Sequence, residues 1–338
     1  MKSPFFIVCS ASSGSTLLSI ILDKHSKIAI GPELYLFNKD KIYRNFNKIK
    51  KNFKTYLDKG ILSNIPILTR NFFYNLDSYF VEKKELIQFM NNSSNLNSFL
   101  NKFWGFYLKK RDKEIFGEKT GSNVYFMKEI LGIYPDAKIV HLIRDGRDST
   151  CSIYKRTNSI YDSASHWFLQ NTAATLYENL DNYLLVKYEN LVHRPEIEIK
   201  RIVNFLGFKY EKKMLSNGAN RYWCDVKENN FHENWNNSPL GLNINNSSVG
   251  KYKKQFTEDM KNIFWNLRLT NYGKRRLGLK KKINPKNLMK KYNYSDIPVE
   301  YNKTKIANKF KRLKLEFKRV KYQYKINKKM WVPFSKLR

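Results

Sequence analysis

The sequence predicts an α/β fold: a parallel sheet flanked by helices, with a helical insertion and a basic C-terminal helical tail. Three observations predict it. Short apolar runs suited to buried parallel strands recur along the chain, helical periodicity follows them, and small-residue or polar loops join the two. With 42% hydrophobic residues among 338, the chain can bury a sizeable core, which argues against global disorder despite a net charge of +34.

The first strand, loop and helix open the chain. Residues 5–9 (FFIVC) form a continuous apolar run, and apolar residues then recur at helical spacing over 17–22. Such a junction gathers backbone N–H groups at a helix N-terminus, which suits a phosphate. Gly14 lets the backbone approach a ligand closely, and the Ser15 and Thr16 hydroxyls can donate further hydrogen bonds. The alternative is an ordinary strand-to-helix turn.

This loop departs from the Walker A pattern, which ends in Gly-Lys-Ser/Thr. Gly14 stands directly before Ser15 with no intervening lysine, so an ordinary P-loop kinase or ATPase is disfavoured. Residues 117–120 (GEKT) are similar to the end of the pattern. They lack its upstream glycine, and we predict no strand in front of them.

The middle of the chain predicts an insertion and two further strands. Residues 34–113 are rich in Asn, Lys and aromatic residues and show few strand signals, so we expect a mostly helical insertion. Apolar runs at 137–143 and 183–186 predict buried strands. A helix is predicted over 195–206, because it begins with proline and Gly207 can cap its end.

The C-terminal half divides into a domain and an extension. Residues 216–248 are rich in Asn, Ser and Gly and predict a long loop or lid. We therefore predict a domain over residues 1–279 and a basic extension over 280–338.

A second strand-to-helix junction follows the strand at 137–143. Arg144 and Ser152 flank the predicted start of its helix, where an arginine fork and a hydroxyl can hold a phosphate. Carboxyl ends of parallel strands share one edge of a sheet, so both junctions should face one ligand, a nucleotide with phosphates at two positions. The alternative is a capped helix in which Arg147 pairs with Asp145 or with Asp148.

With both junctions in place, the sequence resembles sulfotransferases that use 3′-phosphoadenosine 5′-phosphosulfate (PAPS), a P-loop-like family, and especially their bacterial and tyrosylprotein-type members. Residues 12–18 (SSGSTLL) resemble the family's 5′-phosphosulfate loop, and residues 144–152 resemble its 3′-phosphate motif. Residues 188–191 (YENL) match the segment after the third strand, and 247–252 (SSVGKY) resemble the late element that closes over the nucleotide. The similarity covers residues 4–275.

The resemblance implies two sets of residues that bind the donor nucleotide. The set expected at the 5′-phosphosulfate is Ser13, Gly14, Ser15, Thr16 and Leu17. The set expected at the 3′-phosphate is Arg144, Ser152 and Lys251, with Tyr188 near the adenine and Ser248 and Gly250 in the closing element.

The resemblance also implies two catalytic residues. Glu33 falls where tyrosylprotein-type members carry a catalytic base, and Lys119 falls where they carry a lysine near the bridging oxygen. A carboxylate can take the proton of an acceptor hydroxyl, and an ammonium can stabilise the leaving phosphate. The alternatives are a Glu33 that caps the following helix and a solvated Lys119. One departure concerns Ser12, because family members usually carry Arg or Lys there.

We therefore expect an enzyme that moves the sulfuryl group from PAPS to an acceptor hydroxyl of a carbohydrate, a peptide tyrosine or a small alcohol. We expect no metal, because sulfuryl transfer depends on positioning and electrostatics. Unlike an ATPase reaction, it involves no multiply charged pyrophosphate that must be held by Mg²⁺. The alternatives are a P-loop small-molecule kinase and a basic nucleic-acid-binding protein, the latter suggested by the +34 charge and 22 tyrosines.

Half of the charge lies in the C-terminal extension. Residues 280–338 contain 20 Lys or Arg and three acidic residues, so only half of the excess charge lies in the recognised domain, and we expect no nucleic acid partner. Residues 305–327 predict an amphipathic helix with one apolar stripe. This helix either docks on the domain or contacts a membrane surface or an acidic partner.

The remaining sequence features concern location. The apolar run at 5–9 is too short for a signal peptide, and no apolar stretch reaches the roughly 18 residues of a membrane span. Cys9, Cys151 and Cys224 show neither metal spacing nor a disulfide framework, which indicates a reducing compartment. We expect a cytoplasmic protein, soluble or peripheral at the membrane.

Overall fold

A parallel sheet of five strands lies at the centre of the structure, in the order β2-β3-β1-β4-β5. The computed structural model describes residues 2–34, 36–37, 42–59, 77–216, 244–269, 271–279 and 283–298. The strands are β1 (Phe5–Cys9), β2 (Ile28–Ile30), β3 (Ile115–Lys119), β4 (Lys138–Ile143) and β5 (Tyr183–Lys187). The predicted α/β class with a parallel sheet is confirmed.

Helices cover both faces of this sheet. The helices of the first half are α1 (Ser15–Asp23), α2 (Ile42–Lys51), α3 (Phe53–Lys59), α4 (Lys83–Asn91), α5 (Leu96–Arg111), α6 (Met127–Ile133), α7 (Gly146–Thr157) and α8 (Ile160–Ala174). Those that follow are α9 (Tyr188–His193), α10 (Pro195–Leu206), α11 (Tyr252–Gln255), α12 (Glu258–Asn266), α13 (Asn271–Leu277) and α14 (Pro285–Lys291). Short 3₁₀ turns lie at Asp77–Tyr79, Gly121–Phe126 and Lys212–Leu215. None of the helices in the described ranges has the length and apolar character that crossing a bilayer requires.

Strand β1 is the middle of the sheet and of the core. It pairs in parallel with β3 on one side and with β4 on the other. All five of its residues are buried, and their side chains alternate between two apolar clusters. Phe6 and Val8 join the cluster that contains the insertion helices and α8, whereas Phe5, Ile7 and Cys9 join the cluster of α1, α9 and α10. The continuous apolar run at residues 5–9 thus reflects burial on both faces.

The sequence analysis missed two strands, β2 and β3. The prediction that no strand accompanies residues 117–120 is wrong, because the first three of these residues end β3. The strand was missed because Glu118 and Lys119 interrupt its apolar pattern, although both are buried. Each has a polar partner inside the protein: Glu118 accepts a hydrogen bond from Thr120, and Lys119 donates one to Glu33.

The insertion between β2 and β3 is helical in the ranges that the structure describes, over α2, α3, α4 and α5. Helix α10 begins at Pro195 and ends at Leu206, and Gly207 caps it with a φ of 89°, as predicted. Most of the predicted lid loop, residues 217–243, lies outside the described residues.

The first part of the predicted basic extension packs on the domain. Leu288, Met289 and Tyr292 are buried in and after α14, and Lys291 forms an ion pair with Glu178. The division of the chain at 279/280 remains a prediction, but these residues beyond it share the domain's core. The helix predicted over 305–327 lies outside the described residues.

A buried ion pair ties the end of α1 to the end of α5. The Arg111 guanidinium donates to both carboxylate oxygens of Asp23, at 2.6 and 3.0 Å, and both side chains are almost fully buried. Asp23 also accepts the backbone N–H of Ile30 at 2.8 Å, so the pair fixes β2 as well. Burial by itself lowers the pKa of Arg111, but the hydrogen bonds and the negative charge of Asp23 outweigh that effect and raise the pKa above its ordinary range, so the guanidinium stays charged.

We predict that Arg111→Met lowers the free energy of unfolding by about 3–5 kcal/mol, because it leaves the Asp23 carboxylate buried without its cation. Urea unfolding at neutral pH measures the loss. Lys200→Met is the control, since it breaks an exposed pair with Glu196 and should leave the unfolding midpoint unchanged. Equal effects of the two substitutions would contradict this account of the buried pair.

Candidate active site

The loop after β1 forms the first wall of the candidate site. It runs from Ser10 to Gly14, and Gly14 precedes α1 with a φ of 88°. A Cβ atom at Gly14 would lie 2.4 Å from a ring carbon of Tyr188, so only glycine fits beneath that ring. Inside the loop, the Ser10 and Ser13 hydroxyls lie 2.7 Å apart. In the described structure no side chain caps the N-terminus of α1, and the first turn of this helix contains no acidic residue. The N-terminus of α1 is therefore suited to bind an anion.

Arg144 follows β4 and reaches across to this loop. Its Nη1 donates to the backbone oxygen of Ser12 at 2.9 Å, and its Nη2 donates to that of Ser248. The guanidinium lies 4.9 Å from the centre of the Tyr188 ring. Trp167 donates from its indole nitrogen to the Arg144 carbonyl at 2.8 Å and so fixes the backbone. The Arg144 Nε is buried and finds no acceptor among the described residues, so the guanidinium retains donor capacity.

A second guanidinium reaches the same point, and the sequence analysis did not find it. The Arg156 Nη2 donates to the Ser12 hydroxyl oxygen at 2.5 Å. Arg156 lies one helical turn after Ser152 on α7, so the two residues share a face of that helix. The spacing of four residues was the available signal. Two arginines therefore converge on Ser12, the position that lacks the cation expected from the resemblance.

Residues 248–252 close the site from a third direction. Asp148, in the first turn of α7, accepts the backbone N–H groups of Gly250 and Tyr252, each at 2.7 Å. A hydrogen bond joins the side chains of Ser248 and Tyr188. Burial raises the pKa of Asp148, and the two N–H donors oppose this shift. The predicted closing element therefore does contact the strand β4 junction.

Arg147 pairs with Asp145, which is the alternative that the sequence analysis gave for residues 144–152. It forms a two-point ion pair with Asp145, with a shortest distance of 2.6 Å. Its guanidinium also lies 3.7 Å from the centre of the Tyr252 ring and donates to the backbone oxygens of Ser295 and Asp296. While Arg147 pairs with Asp145, Arg144 is directed at the first loop, and its binding of a phosphate remains a prediction.

Glu33 and Lys119 meet at the ends of β2 and β3. The Lys119 Nζ lies 2.8 Å from the Glu33 Oε1. Lys119 is only 5% exposed, which excludes the alternative of a solvated lysine, whereas Glu33 is 28% exposed. A buried lysine held by a partly exposed carboxylate places one ammonium and one proton acceptor side by side at the sheet edge.

Cys9 lies between this pair and the loop after β1. Its thiol is hydrogen-bonded to Ser15 and lies within the electrostatic range of both Lys119 and Glu33. Burial raises the pKa of Cys9 to about 11, so it stays a neutral thiol at physiological pH. The thiol is therefore a packing group between the two parts of the site.

The structure brings most of the predicted residues to one sheet edge. The residues predicted to bind the nucleotide that lie together at this edge are Ser13, Gly14, Ser15, Thr16, Leu17, Arg144, Tyr188, Ser248 and Gly250. Ser152 is half-buried on α7, and the Lys251 side chain is exposed beside Gly250. The uncapped α1, the cradle at Gly14 and the spare donor of Arg144 fit a ligand with two anionic groups.

Comparison with known proteins identifies relatives of this chain. A model of the sulfotransferase family matches residues 4–212. The protein-tyrosine sulfotransferase A of Caenorhabditis elegans is 28% identical over 181 residues, which cover 50% of this chain and 45% of that protein. The chain spans about half the length of the curated relatives it matches.

Two solved structures share the fold. The sulfotransferase domain from the Synechococcus PCC 7002 olefin synthase aligns with a TM-score of 0.55 at 19% identity, covering 78% of this chain and 94% of that domain. The sulfotransferase domain from the curacin biosynthetic pathway aligns with a TM-score of 0.53 at 16% identity, covering 88% and 99%. At these identities the likeness concerns the fold.

Proposed function

Because the chain belongs to the sulfotransferase family, we propose that it is an enzyme that transfers a sulfuryl group from PAPS to an acceptor hydroxyl. The observation that carries this proposal is the convergence of Arg144 and Arg156 on the Ser12 loop, with the Lys119–Glu33 pair at the same sheet edge. Family membership weighs against the two alternatives, a small-molecule kinase and a nucleic-acid-binding protein.

In this proposal the two strand-to-helix junctions hold the two ends of the donor. The backbone N–H groups of Ser13 to Leu17 and the Ser15 and Thr16 hydroxyls bind the 5′-phosphosulfate, supported by the uncapped N-terminus of α1. Arg144, Ser152 and Lys251 bind the 3′-phosphate. Tyr188 borders the adenine, while Ser248 and Gly250 hold the closing element over it.

Glu33 and Lys119 divide the chemistry between them. The donor supplies the sulfuryl group. The Glu33 carboxylate accepts the proton of the acceptor hydroxyl while the hydroxyl oxygen forms a bond to sulfur. The Lys119 ammonium stabilises the negative charge that remains on the phosphate oxygen when its bond to sulfur breaks. No metal is part of the proposed reaction, since these groups provide the positioning and the charge.

Arg156 supplies a positive charge beside Ser12, which stands where relatives usually carry a basic residue. Relatives usually carry a cation at that position, and in this chain the Arg156 guanidinium comes within 2.5 Å of the Ser12 hydroxyl. We include Arg156 among the donor-binding residues for this reason. A guanidinium supplied from α7 provides positive charge at the loop without a basic residue in the loop itself.

The acceptor in the proposal is a hydroxyl group, carried by a carbohydrate, a peptide tyrosine or a small alcohol. The names of the curated relatives support testing a tyrosine peptide, and the biosynthetic domains of similar fold support testing small alcohols. For the basic tail, the proposal retains contact with a membrane surface or an acidic partner, supported by its charge. A cytoplasmic location is proposed from the cysteine usage alone.

We predict that Glu33→Gln nearly abolishes sulfuryl transfer, because the amide cannot accept the hydroxyl proton, while binding of adenosine 3′,5′-bisphosphate persists. Transfer from labelled PAPS is measured with an oligosaccharide, a tyrosine-containing peptide and p-nitrophenol as acceptors. Glu196→Gln, an exposed change on α10, is the control and should keep the wild-type rate. A rate near wild type in Glu33→Gln would remove this residue as the base.

We also predict that Arg144→Ala weakens binding of adenosine 3′,5′-bisphosphate by about 10- to 100-fold, since charged hydrogen bonds contribute about 1.5–3 kcal/mol. Isothermal titration calorimetry measures the dissociation constant. Arg194→Ala removes an exposed arginine elsewhere on the surface and should leave the constant unchanged. An unchanged constant in Arg144→Ala would refute its place at the nucleotide.

A further inference from the structure

The segment that carries Glu33 is held by buried polar side chains at every second residue. At its start, Asp23 on α1 accepts the backbone N–H of Ile30 at 2.8 Å. In its middle, the Tyr79 hydroxyl donates to the backbone oxygen of Pro32 at 2.5 Å. At its end, the Glu118 carboxylate accepts the backbone N–H of Leu34. These three side chains come from different parts of the chain and grip one stretch of five residues.

Tyr79 contacts two adjacent residues of this segment, Gly31 and Pro32. Its ring fills the space above Gly31, where an added Cβ would lie 2.2 Å from the ring carbon that carries the hydroxyl. Tyr79 is 1% exposed, and burial raises its pKa well above its ordinary value, so the hydroxyl remains a donor. The contact therefore combines a hydrogen bond to Pro32 with a steric fit to Gly31.

The setting of Tyr79 is rigid. Its ring packs 4.8 Å from the Tyr107 ring and 5.3 Å from the Phe103 ring, measured between centres. The next residue, Phe80, has a φ of 55°, a left-handed conformation that bulky residues rarely adopt. Unusual backbone of this kind persists only where the surroundings fix it, and it concentrates at functional sites.

The other two side chains that hold this segment, Asp23 and Glu118, are also fixed by buried contacts. Asp23 is held by its ion pair with Arg111. Glu118 also accepts hydrogen bonds from the side chains of Thr120 and Asn123, which direct its carboxylate within the core. Tyr79 and Glu118 contact the backbone of this segment, whereas the Glu33 side chain forms its 2.8 Å ion pair with Lys119.

From this arrangement we infer that Tyr79 is a positioning residue, which sets the backbone of residues 31–33 so that the Glu33 carboxylate faces Lys119 and the acceptor hydroxyl. The inference rests on the proposed role of Glu33 as the base. The helical insertion between β2 and β3 thereby has a direct connection to catalysis, because Tyr79 belongs to it. Glu118 assists from the other end of the segment.

The physical reason is the sensitivity of proton transfer to geometry. A base must lie within hydrogen-bond reach of the proton that it takes, and small displacements of a catalytic group have large effects on rate. Glu33 itself is 28% exposed and follows a proline, so its own packing is limited. Buried contacts on both sides of Glu33 restrict its backbone instead.

The test compares isosteric substitutions that each delete one buried interaction. Tyr79→Phe removes only the hydroxyl that binds Pro32. Glu118→Gln is the second variant, because it keeps the shape of the side chain but replaces one carboxylate oxygen acceptor with an amide donor. Tyr134→Phe is the matched control, since Tyr134 is also buried in the insertion's cluster but its hydroxyl binds Asn101. Each is assayed with labelled PAPS and the fastest acceptor of the panel above, and calorimetry with adenosine 3′,5′-bisphosphate verifies its folded site.

The inference predicts a split between kinetic constants. In Tyr79→Phe, kcat should fall by at least about tenfold, while KM for PAPS and the bisphosphate dissociation constant stay at the wild-type values. Glu118→Gln should show the same pattern, and Tyr134→Phe should keep the wild-type kcat.

Four results would overturn the inference. A wild-type kcat in Tyr79→Phe would show that the contact does not position the base. An equal loss in Tyr134→Phe, or a parallel loss of bisphosphate binding in Tyr79→Phe, would indicate general loosening of the core. If the wild-type chain itself transfers no sulfuryl group, the proposed function fails, and the inference falls with it; the wild-type rate thus separates the two failures.

Discussion

The pairing of β1 with β3 and β4 determines where the polar residues of this chain meet. Strand β1 opens the chain, yet its two neighbours come from residues 115–119 and 138–143. Since all three strands are parallel, their carboxyl ends reach one edge of the sheet, which is where ligands bind in such folds. The Ser12 loop, Lys119 and Arg144 each follow or end one of these strands. A change in the register of β1 would separate them.

Burial of charge gives this edge its character. In most of the protein's interior, charges are paired, as Asp23 is with Arg111 and Asp145 with Arg147. Arg144 is paired less closely, because its hydrogen bonds go to the carbonyls of Ser12 and Ser248 and its ion pair with Asp148 spans 3.9 Å. Carbonyls orient a guanidinium but do not neutralise it. The local positive charge, far more than the +34 total, accounts for the proposed selection of an anionic nucleotide.

The sequence predicted those features that leave a local pattern. Residues 5–9 are apolar on both faces, and β4 is apolar at four of its six positions, so the sequence predicts these strands and their loops. Strand β3 was missed because Glu118 and Lys119 are polar and buried, and only tertiary partners make that arrangement stable. Arg156 was missed because its contact with Ser12 joins residues 144 positions apart, and its spacing from Ser152 is its only local signal. Hydrophobic periodicity and residue spacing report on residues that are close in the chain. The contacts of Glu118, Lys119 and Arg156 depend on residues that the sheet brings together.

The central claim is that one nucleotide bridges the β1 and β4 junctions through two phosphates. Calorimetric titration of the wild-type protein with adenosine 3′,5′-bisphosphate, adenosine 5′-monophosphate and adenosine 3′-monophosphate tests it most directly. Because each phosphate would engage its own set of charged or helix-terminal donors, the bisphosphate should bind at least about tenfold tighter than either monophosphate. Equal affinity of the bisphosphate and one monophosphate would contradict the claim, since one of the two junctions would then contribute nothing to binding.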